Sequence, residues 1–219
     1  MVGQNDEEHF RQIPAEYFDL DGVVIDSETQ YSQIWHHIDT CFPTGVDDFE
    51  HVIKGMTLDN ILNTYFRPQD FDSVTRILYD EERKMRYRFC PGAQRFLDKA
   101  KALHVPMALV TSSNGYKMGR LYEHIPGIAS YFDVIITADD ITHGKPNPEG
   151  YFLAASRLGI DPKDCIVFED SLQGVQAGKA AGCHTVGITS TLGPDKLRPY
   201  ATGLTPLLGD LDPQDLINR

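Results

Sequence analysis

The sequence predicts an α/β protein, a doubly wound parallel sheet with an inserted α-helical segment. Three observations predict it. Short apolar runs alternate with helical patterns from Pro91-Gly92 onward. Residues 27–88 instead show helical spacing and no strand signal. The residues able to do chemistry fall at the C-terminal ends of predicted strands, where open parallel sheets bind their ligands.

The elements follow in order. Ala15 to Leu20 reads as the first strand, although Glu16 and Tyr17 make it less apolar than a buried central strand usually is. In the insertion, Tyr31, Ile34, Trp35 and Ile38, then Ile61, Leu62, Tyr65 and Phe66, recur at helical spacing. Pro91-Gly92 marks the return to the main body. A helix over Ala93 to Leu103 and a strand over Met107 to Val110 come next, then a helix over Asn114 to Glu123 and a strand over Phe132 to Thr137. Helix Pro148 to Leu158, strand Asp164 to Phe168, helix Leu172 to Ala181 and strand His184 to Ile188 complete the alternation. Such alternation implies parallel strands with helices on both faces. Thr191 to Arg219, rich in Pro, Gly and Leu, carries no readable pattern.

A chain of 219 residues fits one catalytic domain plus a modest insertion. Its 41% hydrophobic content is ordinary for a soluble globular protein. A net charge of −12 argues against general binding to nucleic acid or an anionic membrane. It leaves a phosphate substrate open, because a local site can be electropositive within an acidic protein. Cys41, Cys90, Cys165 and Cys183 form no C-x-x-C pair, which suggests buried, reduced thiols in a cytosolic protein. Residues 1–13 read as a flexible tail with no signal-peptide core, and no apolar run approaches the roughly 20 residues that span a membrane.

Tyr17-Phe18-Asp19-Leu20-Asp21-Gly22 is the most informative stretch. Side chains alternate along a strand, so Asp19 and Asp21 start on one side, and Gly22 lets the chain bend away. Two carboxylates placed so suit a hard cation and a nucleophile held side by side; the same residues also read as a plain acidic turn. Three segments follow downstream. Met107-Ala108-Leu109-Val110-Thr111-Ser112-Ser113-Asn114 is a strand ending in hydroxyls. Gly144-Lys145-Pro146-Asn147-Pro148 puts a lysine in a loop that opens a helix. Cys165-Ile166-Val167-Phe168-Glu169-Asp170-Ser171 is a strand ending in two acids. Each has a plainer reading: Thr111 and Ser112 cap a helix, Lys145 is solvated, and Glu169-Asp170 is an acidic helix start. Gly174, Gly178 and Gly182 give a smooth helix face for packing on the sheet. The histidines show no metal-ligand spacing, though His143 near Lys145 could line an entrance.

With all four motifs in order, from about residue 14 to about residue 190, the chain resembles the haloacid dehalogenase superfamily. The resemblance is to the helically capped branch of small-molecule phosphatases and β-phosphoglucomutase-like enzymes. It implies a Rossmann-like core of residues 14–26 and 90–219 with a helical cap at 27–89. It implies that Asp19 is the nucleophile, forming an aspartyl-phosphate and binding Mg²⁺. Asp21 would be the general acid and then base, lending its carbonyl to the metal. Thr111, the N–H groups of Ser112 and Ser113, and Lys145 would bind the phosphate. Asp170 would complete the metal shell, with Glu169 close by, directly or through water. Lys54, Gly55 and Thr57 of the cap loop, and Asn114, are expected to face the substrate.

An acid at Asp21 separates this chain from the dehalogenases and phosphonatases, which need not protonate an alcohol. β-Phosphoglucomutases carry a His near Tyr31 and an Arg near Leu58, and this chain has neither. Asp26-Ser27-Glu28 at the cap hinge resembles the phosphatases. The expected activity is therefore Mg²⁺-dependent hydrolysis of a small phosphate monoester, such as a sugar phosphate, with a phosphosugar mutase as the alternative. Arg83, Lys84, Arg86 and Arg88 either meet a second anionic group or form a solvated face. The expected setting is a cytoplasmic monomer whose partner is a small phosphorylated metabolite. A dinucleotide-binding module would need a G-x-G-x-x-G after the first strand. A non-catalytic relative would not keep Asp19, Asp21, Thr111, Lys145 and Asp170 together.

Overall fold

The structure, a computed structural model, describes residues 13–218. Six strands form one sheet: β1 (Ala15–Phe18), β2 (Met107–Val110), β3 (Val134–Ile136), β4 (Cys165–Glu169), β5 (His184–Ile188) and β6 (Gly203–Thr205). All pair in parallel, in the order β3-β2-β1-β4-β5-β6. The order reverses beside β1, which puts the switch point of the sheet at the carboxyl end of β1.

Ten α-helices accompany these strands among the described residues. Four form the insertion that follows β1: α1 (Glu28–Cys41), α2 (Phe49–Val52), α3 (Leu58–Tyr65) and α4 (Phe71–Glu82). The rest are α5 (Ala93–Ala102), α6 (Gly115–His124), α7 (Glu149–Leu158), α8 (Leu172–Ala181), α9 (Pro194–Leu197) and α10 (Pro213–Ile217). Alternation along β1 sends Phe18 to one face and Tyr17 to the other. Phe18 stacks on Phe168, with ring centroids 5.1 Å apart, under Phe96 and Leu97 of α5 and Met118 and Leu121 of α6. Tyr17 lies in a second core with Tyr151 and Ala154 of α7 and Ala177 of α8. The insertion has a core of its own, built on Ile34, Trp35, Ile38, Phe49, Ile61 and Leu78. Its helical spacing is thus the signature of a separate small core.

Several expectations change. The first strand stops at Phe18, because the N–H groups of Val24 and Ile25 both fold back onto the Leu20 carbonyl. β1 is nonetheless central, and Glu16 is fully buried within it. β3 is shorter than expected, since a 3₁₀ turn over Ile128–Tyr131 and the capping residue Thr137 bracket it. The unread C-terminal stretch supplies β6, α9 and α10. Gly174 and Gly178 do pack closely, against Glu169 and against Thr185 and Val167. Gly182 does not; it ends α8 in the left-handed region, at φ +85°. Cys90, Cys165 and Cys183 are buried, but Cys41 is exposed. The expected tail lies outside the described residues except for Ile13, which packs on the core.

Candidate active site

Four loops meet at the carboxyl edge of the sheet. Asp19 leaves β1 with its N–H bonded to the Phe168 carbonyl at 3.0 Å, which ties it to β4. Gly22 turns the chain at φ +73°, and a Cβ there would overlap the Asp170 carboxylate. Lys145 is buried between the two acidic strand ends. Its ammonium donates to Asp19 Oδ1 at 2.6 Å and to the Val110 carbonyl at 3.0 Å, and lies 2.5 Å from Glu169 Oε1. Tyr151 donates to Glu169 Oε1 at 2.8 Å, and Ser171 Oγ donates to Oε2 at 3.1 Å. Burial alone would push Lys145 down, yet Asp19 and Glu169 outweigh it and hold the ammonium above its ordinary range.

One cation does not neutralise this floor. Asp19, Glu169 and Asp170 each offer an oxygen within 4.8 Å of the others, and all three are buried. Burial raises the Asp19 carboxyl to about 7 against the pull of Lys145. Burial, with Asp19 and Glu169 beside it, pushes Asp170 well above the usual carboxylate range. Asp170 Oδ2 is buried with no hydrogen-bond partner. A buried orphan oxygen among excess carboxylates fits a hard divalent cation such as Mg²⁺, which takes oxygen ligands. Glu169 sits close by as expected, but both its oxygens are engaged by Lys145, Tyr151 and Ser171. Asp19 and Asp170 are therefore the carboxylates that could hold such an ion, and Glu169 braces Lys145.

Above the floor, the expected phosphate residues divide their work. Buried Thr111 accepts the Ser113 N–H on Oγ1 at 3.1 Å and donates to Ser113 Oγ at 3.0 Å. The Ser113 N–H expected on the phosphate is thus already used. Ser112 Oγ donates to the Gly55 carbonyl at 2.7 Å and so docks the cap loop on the core. Neither Thr111 nor Ser112 caps α6. Asn114 does, its Oδ1 accepting the Lys117 N–H at 3.1 Å while its Nδ2 donates to Tyr79 Oη at 3.0 Å. Asn114 lines the cavity, but both ends of its amide are taken. Lys54 and Gly55 also line it; Lys54 is buried in an ion pair with Glu28, and Gly55 lies against Ser171. Thr57 does not line it. Its hydroxyl caps α3 by accepting the Asn60 N–H at 3.3 Å, and it packs on Gly144. His143 is exposed and pairs with Glu149 at 2.9 Å.

A family model for haloacid dehalogenase-like hydrolases matches residues 17–182. The chain belongs to that family. It is 32% identical over 195 residues to the validoxylamine A 7'-phosphate phosphatase of Streptomyces hygroscopicus subsp. limoneus, covering 80% of this chain and 84% of that protein. It is 29% identical over 182 residues to the fructose-1-phosphate phosphatase YqaB of Escherichia coli, covering 78% and 94%. A β-phosphoglucomutase structure from Clostridium difficile shares the fold, with a TM-score of 0.76, 24% identity, and 94% and 97% of the two chains covered. Both of these relatives are named as phosphatases, and this chain is a phosphoric monoester hydrolase of the same family. Among its described residues no helix is long and apolar enough to cross a membrane.

Within this haloacid dehalogenase-like frame, sequence reasoning missed the surroundings of Asp21. Its carboxylate accepts from Ser27 Oγ and lies 2.5 Å from Lys117 Nζ, with Ser113 Oγ at 3.4 Å. Lys117 Nζ sits 4.0 Å from the centre of the Tyr31 ring, and Tyr31 donates to Glu82 Oε1 at 2.8 Å. One signal pointed there. Lys117 stands in the first turn of α6, where the helix dipole disfavours a cation unless a carboxylate compensates. Arg83 and Lys84, just past the end of α4, by contrast pair with Asp80 and Glu81 three residues back. They form the solvated face.

Proposed function

We propose that this chain is a phosphatase that hydrolyses a small phosphate monoester, a sugar phosphate or similar metabolite, through a phosphorylated Asp19. The observation that carries the reading is the buried floor, where Lys145 spans Asp19 and Glu169 beside the unpartnered oxygen of Asp170. Asp19 attacks phosphorus and the ester P–O bond breaks. Asp21, two residues on, gives its proton to the departing alkoxide oxygen. Water then attacks phosphorus, losing its proton to Asp21, and the bond to Asp19 breaks to release inorganic phosphate. Lys145 keeps Asp19 ionised and offsets phosphoryl charge. Asp19, Asp170 and the Asp21 carbonyl would hold Mg²⁺, whose charge, when bound, draws the phosphoryl oxygens into line.

The cavity wall supports hydrolysis over mutase action. A mutase must also hold a second phosphate on its substrate. The two lysines lining the cavity are both committed, Lys54 to Glu28 and Lys117 to Asp21, and the remaining cap wall includes Glu50, Glu82, Trp35, Leu58 and Leu78. The test is Mg²⁺-dependent phosphate release over a panel of phosphorylated metabolites, with Asp19→Asn as blank and glucose 6-phosphate formation from β-glucose 1-phosphate followed in parallel. Release from one or a few esters, lost in the variant and in chelator, is the expected result. Isomer conversion with little release would give the mutase.

A further inference from the structure

We propose that Glu82 selects the alcohol half of the substrate. It admits phosphate esters whose alcohol offers a hydrogen-bond donor, a hydroxyl or an ammonium, and rejects those that carry a second anionic group. The inference rests on the hydrolase reading above and names the substrate class of the same site. One cavity serves both ends of the ester. Asp19, Thr111 and Asp170 line it at the floor, and Trp35, Leu58 and Leu78 line it on the cap. An ester with its phosphorus at Asp19 therefore has its alcohol toward the cap, where the apolar side chains suit a carbon skeleton.

Among the described residues lining this cavity, only Asp170 and Glu82 keep a buried oxygen without a hydrogen-bond partner. The Asp170 oxygen belongs to the floor and its cation. Glu82, at the end of α4, is 3% exposed. Tyr31 donates to its Oε1 at 2.8 Å, and Oε2 is the atom left over. A buried acceptor is costly to leave unmade, so a donor arriving on the ligand is favoured there. Burial pushes this carboxyl up against the pull of Lys117 and the Tyr31 hydrogen bond. A donor on the alcohol would pull the same way as those two, since it bonds the charged form. The charges around Glu82 explain the exclusion. The cavity's two lysines are already paired, Lys54 with Glu28 and Lys117 with Asp21. No arginine or histidine lines the cavity among the described residues. Glu50, 3.8 Å from His51, adds a further carboxylate to the cap end. A second phosphate or carboxylate on the alcohol would face like charge with no spare cation to meet it, which is how a site rejects a wrong ligand.

The test uses esters matched in length. Sorbitol 6-phosphate is compared with 6-phosphogluconate, which replaces one hydroxymethyl by a carboxylate, and with hexyl phosphate, which has no donor. Glycerol 1-phosphate, 3-phosphoglycerate and propyl phosphate form a shorter set, and the set whose polyol ester the wild type turns over better is used. The wild type should favour the polyol ester over each of the other two by about 10-fold or more in kcat/KM, the factor that a hydrogen bond to a charged group supplies. Glu82→Gln keeps the shape and removes the charge, and should lower the polyol-to-acid ratio about 5-fold or more. Glu82→Leu removes the acceptor, and should lower the polyol-to-alkyl ratio about 10-fold or more. Each ratio is taken within one protein, so a loss of folded enzyme cannot mimic either change. Glucosamine 6-phosphate turned over faster than glucose 6-phosphate, with the gap closed in Glu82→Gln, would make the donor an ammonium; equal rates would make it a hydroxyl. A wild type without the polyol preference, or a ratio that its substitution leaves unmoved, would overturn the proposal. So would release from p-nitrophenyl phosphate with none from either polyol ester. Release from none of these esters would instead overturn the hydrolase reading beneath it.

Discussion

The floor of the site and its cap-side wall solve the same problem, a carboxylate beside a buried lysine, in different ways. On the floor, Asp19, Glu169 and Asp170 lie at the ends of the adjacent parallel strands β1 and β4, and Lys145 reaches them from the loop before α7. The sheet sets their spacing, and their chemistry is crowded enough to leave an oxygen unpartnered. On the wall, Asp21, Lys117, Tyr31 and Glu82 come from a core turn, a core helix and two cap helices. Asp21 and Lys117 pair within the core, and Tyr31 and Glu82 join them only through the docking of the cap. The floor is built to be constant, and the wall to depend on closure.

If the floor is the rigid half, breaking it costs most. Lys145→Met leaves Asp19 facing Glu169 with no cation between them. Removing one partner of a buried pair costs about 3–5 kcal/mol of stability, and loss of a phosphate-neutralising donor costs about 10²–10³-fold in rate. We expect activity to fall at least about 10³-fold with a lowered thermal midpoint. A variant retaining a tenth of the activity would show that Lys145 is not the charge of the floor. Asp170→Asn tests the other side of that balance. In the wild type, excess Mg²⁺ should raise the thermal midpoint, since an ion bound only to the native state at about 100 Kd adds about 2.7 kcal/mol. Asp170→Asn should raise the metal-free midpoint by relieving repulsion and abolish the Mg²⁺ response. An unchanged response would place the ion elsewhere.

The same contrast explains what was legible in the sequence. Asp19, Lys145 and Asp170 sit beside glycines, prolines and strand ends, so short motifs place them. Thr57 is expected at the substrate through the resemblance of its loop, with Asn114 beside the phosphate residues; in the fold, each spends its side chain on capping a helix. Lys117 was passed over because its partners Asp21 and Tyr31 lie 96 and 86 residues away, and no local pattern encodes a contact that three elements create. β6 escaped for the opposite reason. Three residues at a sheet edge are too few to show a period, and the strand exists because β5 offers it a register.

A smaller effect should follow from loosening the dock and leaving the groups themselves intact. Tyr79 Oη receives the Asn114 amide at 3.0 Å, and its ring stacks on Tyr116 with centroids 4.1 Å apart, joining cap helix α4 to core helix α6. Tyr79→Phe removes one hydrogen bond worth about 0.5–1.5 kcal/mol and keeps the stack. Closure should become about 2–10-fold less favourable, read as a raised KM with kcat nearly unchanged. A fall in kcat alone would mean that Tyr79 acts on the chemistry.

The smallest change in turnover is expected at Glu16, on β1 three residues before Asp19. It lies in the central strand that Asp19 leaves but has nothing like Lys145. Both its oxygens are buried without partners, opposite Met107 and Ile166 on the neighbouring strands. Burial pushes its carboxyl up to about 8 from 4.5, so the native chain keeps a proton that the unfolded chain releases between those values. With more protons on the native state, stability must fall as pH rises through that window, by about 1.4 kcal/mol per pH unit. Below 4.5 both states hold the proton and the penalty is absent. Glu16→Met fills a similar volume with no group to desolvate. It should raise the thermal midpoint at pH 7 by several degrees, since each kcal/mol is worth about 2–4 °C in a chain of this size, flatten the decline between pH 5 and 8, and leave kcat/KM alone. A lower midpoint, or an unaltered slope, would show that Glu16 has a partner on the native strand after all, and that the two ends of β1 are not the contrast they are drawn to be.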